Sequence, residues 1–81
     1  MASEKKVLNT VIKRFPESRL QIVELFHQSD FFRSICEDYT VCFEVIKRLE
    51  SSKQMTKKGY KKEYKILLEE LEKELISRLS E

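Results

Sequence analysis

The chain is almost without the residues that bend a backbone sharply, with one glycine and one proline in 81 positions. Tight β-hairpins draw on glycine-containing turns to reach positive φ, so a strand-and-turn architecture lacks its raw material. A long apolar run is missing too: nothing approaches the ~18 residues a membrane-spanning helix needs. At the start, Asn9, Thr10, Lys13 and Arg14 interrupt the apolar positions, which removes the continuous h-region of an export signal. These gaps lead to the expectation of a soluble protein with no visible export signal and no membrane attachment.

Metal-binding and nucleophilic residues are scarce as well. His27 is the sole histidine, and Cys36 and Cys42 are the only cysteines. A structural zinc site wants four ligands in close C-x2-C or H-x3-5-H pairs, and no such spacing occurs. On a helix, cysteines six apart lie about 240° around and roughly 9 Å along the axis, beyond the ~7 Å reach of a disulfide. They are expected as reduced, buried thiols. No glycine-rich loop offers an oxyanion hole beside a Cys-His pair, and the adjacent acids Glu37 and Asp38 diverge by about 100° on a helix. The expectation is a non-enzymatic protein with no metal, no cofactor and no small-molecule substrate.

What is present is helix-forming and charged: 41% hydrophobic residues, 37% charged, and Leu, Glu, Lys and Arg in abundance. Eighty-one residues make one domain, 1–81, with a thin core, because a chain of this size removes little more than ~60% of its surface from water. The reading is all-α: a small helical bundle of about four helices built on a long antiparallel helical hairpin.

Two short helices are expected within 1–28. In the first, Ser3 caps and Val7, Leu8, Val11, Ile12 and Phe15 recur at helical spacing. Phe15-Pro16 ends it, since proline drives the preceding residue to extended backbone and suits the first turn of the next helix. The second then reaches Gln28 with an apolar side built on Leu20, Val23 and Phe26, joined less regularly by Ile22 and Leu25.

The hairpin arms are expected at 29–52 and 57–80. In the first arm Ser29 caps, and Phe32, Ile35, Tyr39, Cys42, Ile46 and Leu49 follow in steps of three and four, with Phe31, Cys36, Phe43 and Val45 on the flanks. The second arm, helical from about Tyr60, aligns Tyr64, Leu68, Leu71, Leu75 and Leu79, and residues 51–59, which include the only glycine, read as the connection. Arg33 with Glu37, Glu44 with Arg48, Glu69 with Lys73 and Glu74 with Arg78 stand four apart, worth ~0.2–0.5 kcal/mol each as pairs.

The segments "FFRSICEDY" and "EYKILLEELEKEL" resemble small bacterial helical proteins of comparable length, a group without a known activity. The resemblance spans roughly residues 30–79. It implies a bacterial, cytoplasmic origin and transfers no functional residue.

Two surfaces are then candidates for function. Leu67, Leu68, Leu71, Leu75, Ile76 and Leu79 put more apolar side chain on the last helix than one neighbour of a thin bundle covers, which points to a protein partner or a second copy of the chain. The alternative is charge. Residues 47–65 carry a local balance of +6, whereas 66–81 stand at −3 and 1–46 at −1. Lys53, Lys57, Lys58, Lys61, Lys62 and Lys65, with Tyr60 and Tyr64 alongside, would attract nucleic acid or another polyanion. A membrane role for the first helix is not expected, because its basic face is short and its apolar face serves the core.

Overall fold

Ser3 is the residue that starts the first helix: its backbone is extended, and its hydroxyl accepts from the Lys6 amide at 3.2 Å, satisfying one of the amides that a helix start leaves without partners. The computed structural model describes residues 3–51 and 58–80, with the backbone alone for 58–61. Helix α1 spans Glu4–Arg14 and α2 Arg19–Gln28; α3 spans Asp30–Ser51 and α4 Lys58–Leu79. No strand occurs among the described residues.

The breaks follow local chemistry. Phe15 leaves helical geometry ahead of Pro16, and a single 3-10 turn, Pro16–Ser18, inserts before α2 where a continuous helix from Pro16 was expected. At the next junction Ser29 is extended, and its hydroxyl accepts from the Phe32 amide at 3.2 Å. One serine thus both stops α2 and caps α3. Helix α3 is a continuous rod of 22 residues, about 33 Å at 1.5 Å per residue. It and α4 set the long dimension of a molecule measuring 41 × 23 × 21 Å. Gly59, assigned to the connection, lies in the first turn of α4 instead; residues 52–57 of that connection are outside the described residues.

Helix α3 packs against each of the other three helices, and α1 also packs on α2. One core results: Val7 and Val11 from α1, Ile22 and Phe26 from α2, Phe32, Ile35, Cys36 and Tyr39 from α3, and Leu75 from α4. Fully burying each large aliphatic or aromatic side chain contributes about 1.5–3 kcal/mol. Cys42 and Ile46 continue the buried seam along α3, whereas Leu49 at its end is only half-buried. The start of α3 meets the end of α4, where the Arg78 guanidinium stands 4.6 Å over the Phe31 ring, so the two helices run antiparallel.

Three differences from the sequence pattern have physical reasons. Leu20 is 80% exposed and Ile22 takes its place in the core, because Ile22 and Phe26, four apart, share the face that α2 turns inward. Thr40, a polar residue outside the apolar pattern, is fully buried, and its hydroxyl donates to the Cys36 carbonyl at 2.9 Å; a satisfied hydroxyl removes the cost of burial. Two of the expected ion pairs form elsewhere: Arg33 binds Asp30 rather than Glu37, and Glu44 binds Lys6 of α1 rather than Arg48. Glu74 does pair with Arg78, at 3.5 Å.

Candidate functional site

The packing of α1 against α3 leaves an open groove of about 1090 Å³ between α1 and the C-terminal half of α3. Each wall is a consequence of helical spacing. On α1 the core takes Val7 and Val11, and Lys6, Asn9, Thr10 and Lys13, at steps of three, one and three, line the groove. Lys5 and Arg14 widen that wall. On α3, Tyr39, Phe43 and Lys47 form one row at steps of four, and Glu44, Arg48 and Ser51 form the next.

The groove is therefore strongly cationic. Six basic side chains line it against one carboxylate, Glu44. Glu44 is held below the usual carboxylate range, first by its hydrogen bond to Lys6, with Arg48 and Lys47 adding to the field and partial burial opposing it. The Lys6–Glu44 contact is 2.5 Å. At the far end Arg14 is committed to Glu72 of α4, Nε at 3.0 Å and Nη2 at 2.9 Å from the same oxygen. Among the described residues Lys5, Lys13, Lys47 and Arg48 form no ion pair.

Two rings stand among these cations. Tyr39 and Phe43 are stacked, centroids 6.5 Å apart with planes inclined by 17°. Tyr39 is buried and belongs to the core, and burial is the chief cause that raises its phenol above the ordinary value, with Glu72 adding and Arg14 opposing. Phe43 is 41% exposed, and the Lys47 ammonium lies 6.0 Å from its ring centroid. The groove thus presents an accessible aromatic ring within a basic wall, a combination that suits an anion carrying a flat apolar group.

The sequence-derived candidates are distributed differently. Lys53 and Lys57 lie outside the described residues, as do the side chains of Lys58 and Lys61 on α4; Lys62 and Lys65 are exposed on α4. Lys47 and Arg48, at the edge of the basic run, line the groove, and their counterparts come from α1. The signal for α1 was present in its own charges, Lys5, Lys6, Lys13 and Arg14 against Glu4, a balance of +3; taken over the first 46 residues together it is hidden, because Glu17, Glu24 and the acids of α3 bring that stretch to −1.

The apolar candidates on α4 are mostly engaged within the bundle. Leu75 has no exposed surface, and Leu68, Leu71 and Leu79 pack partly buried against the core. Only Leu67 and Ile76 of the six are exposed. Nine residues apart, they point to opposite sides of the helix, so they do not form one stripe.

Both thiols are buried. Cys36 is fully buried and its thiol is pushed up to about 12, chiefly by burial, with Glu37 adding; Cys42 is raised by burial and Asp38. Both nitrogens of His27 face oxygens, Nδ1 at 2.9 Å from the Val23 carbonyl and Nε2 at 2.8 Å from Glu4. Among the described residues no three His, Cys, Asp or Glu side chains converge as metal ligands, and no helix is long and apolar enough to cross a membrane.

Comparison with protein-family models, with curated proteins and with solved structures finds no match to the chain.

Proposed function

We propose that the protein is a non-enzymatic binding module that holds a phosphate-bearing polyanion in the groove between α1 and α3. The observation that carries this reading is the convergence of Lys5, Lys13, Lys47 and Arg48, which form no ion pair among the described residues, on a single concave surface. The chain as a whole is only +2, so its long-range attraction for anions is modest; the groove concentrates charge where low-dielectric walls strengthen it. Of Lys53, Lys57, Lys58, Lys61, Lys62 and Lys65, the two whose side chains are described, Lys62 and Lys65, are exposed on α4 and do not line the groove.

Titration with inorganic polyphosphate tests the assignment. Lys47→Glu with Arg48→Glu should reduce affinity by at least about tenfold, each lost charge-assisted contact being worth roughly 1 kcal/mol or more. Lys62→Glu with Lys65→Glu, on α4 outside the groove, should have a smaller effect. The opposite ranking would move the site to the lysine run.

A second reading is self-association or docking of a protein partner through α4, favoured by the half-exposed Ile66, Leu67 and Ile76. Ile66 lies about 80° from Ile76 and 100° from Leu67 around the helix, so a partner covers two of the three at most. Mass in solution at several concentrations and salt levels tests it: apolar association persists as salt rises, whereas polyanion binding weakens.

A further inference from the structure

The position of Phe43 narrows the class of polyanion. Its ring is stacked with that of Tyr39 and is 41% exposed; the Lys47 ammonium stands over it at 6.0 Å from the centroid, a long contact that a base can displace while Lys47 turns to a phosphate, and the cations of α1 line the facing wall. A site that needed only to attract phosphate would be served by the cations alone; a part-exposed phenyl ring in its lining gains apolar contact when a flat group replaces water on it. Paired bases in a duplex have their faces occupied by their neighbours, so only an unpaired base is free to lie on such a ring.

The geometry points to single-stranded nucleic acid as the ligand of the groove, with the phosphate chain running between Lys5 and Lys13 of α1 and Lys47 and Arg48 of α3, and one base stacked on Phe43. This rests on the anion-binding reading of the same groove. Glu44, the one carboxylate in the groove, is neutralised by Lys6 at 2.5 Å, which keeps the strand's path free of a net negative charge. Asn9, Thr10 and Ser51 border the groove as hydrogen-bonding groups for sugar and phosphate oxygens. Stacking on Phe43 and contacts to phosphate are indifferent to base identity, so the binding is sequence-tolerant.

Fluorescence anisotropy of the full chain with a short oligouridine, the matching oligodeoxyuridine, an abasic strand of equal charge and a duplex of equal length tests this. The expected result is single-strand binding about tenfold tighter than the abasic strand, the size of one base-aromatic stack; oligodeoxyuridine, which differs from oligouridine in the sugar alone, shows whether a 2′-hydroxyl contributes. Phe43→Ala should bring the single strand down to the abasic affinity and leave the abasic strand unchanged. Because the chain has no tryptophan, Phe43→Trp installs a single reporter whose emission should be quenched by the base-bearing strand and not by the abasic one; this arm decides the matter if Phe43→Ala fails to fold. Equal affinity for base-bearing and abasic strands, or no quenching, overturns the inference and leaves the polyanion site standing. Tighter binding of the duplex, of polyglutamate or of phosphatidylglycerol vesicles overturns it too. Failure of every polyanion to bind removes both readings.

Discussion

Cys36 illustrates how one side chain's chemistry is set by its place in a helix. It lies one step from Ile35 and three from Tyr39, faces the core with no exposed surface, and holds its proton to about pH 12. Its thiolate, the reactive form, is scarce at neutral pH. Alkylation of the native protein should therefore modify Cys36 far more slowly than alkylation in denaturant, a comparison that mass spectrometry reads directly. Because the folded-state value is raised above the unfolded one, the protonated thiol stabilises the fold fully below about pH 9 and loses that contribution as pH rises toward 12. Tyr39 and Cys42 are raised in the same direction, so alkaline unfolding should be steep, and Cys36→Ala should make it shallower in denaturant titrations at increasing pH. Glu44 works the opposite way. Its depressed value means that its pairing with Lys6 contributes above the ordinary carboxylate range and is lost as pH falls through the folded value. The stability difference between the wild type and Lys6→Ala should shrink in acid. Glu44→Gln, which removes the groove's only carboxylate, should tighten polyphosphate binding a few-fold.

Among the helices, the inward faces of α3 and α4 were both readable, but they are buried to different depths. Along α3, polar and apolar residues segregate, and the steps Phe32, Ile35, Tyr39, Cys42, Ile46 are the buried face; the spacing alone located it. On α4 the stripe Tyr64, Leu68, Leu71, Leu75 and Leu79 is likewise the covered side, but only Leu75 on it is fully buried, and Ile66, Leu67 and Ile76 off the stripe are exposed. Packing selected Leu75, which is fully enclosed, and left its neighbour Ile76 48% exposed. Two adjacent aliphatic residues should then differ sharply. Leu75→Ala is expected to cost about 2–5 kcal/mol, the usual range for emptying a buried leucine site, whereas Ile76→Ala should stay within about 0.5 kcal/mol. Equilibrium denaturation of both variants checks the orientation of α4. At the other end of this helix pair, the Arg78 guanidinium over Phe31 explains why an exposed phenylalanine at the start of α3 is tolerated: its ring face is covered by a cation that still reaches water.

For the whole molecule, the decisive feature is that α1 and the C-terminal half of α3 meet side by side. Lys5 and Lys13 are more than thirty residues from Lys47 and Arg48 in the chain, yet they border one groove. If a strand of nucleic acid occupies it, the logarithm of the affinity should fall linearly with the logarithm of salt concentration. Each cation removed should lower that slope by about 0.7, the counterion release per phosphate of a single strand. Lys13→Ala and Lys47→Ala, on opposite walls, should each do so and should add when combined. A slope that responds to only one wall would show that the ligand lies along a single helix.

The amino-acid order by itself determined the all-helical class, the stops at Phe15-Pro16 and Ser29, and the inward face of α3, because each depends on interactions among residues at most a few turns apart: caps, the proline constraint and helical periodicity. Only the tertiary structure decided that Glu44 would answer to Lys6 instead of Arg48, and that the basic groove would draw four of its six basic side chains from α1. Those outcomes depend on how helices distant in the chain lie against one another, and a count of charges along a sequence carries no information about which of them will face each other across a gap.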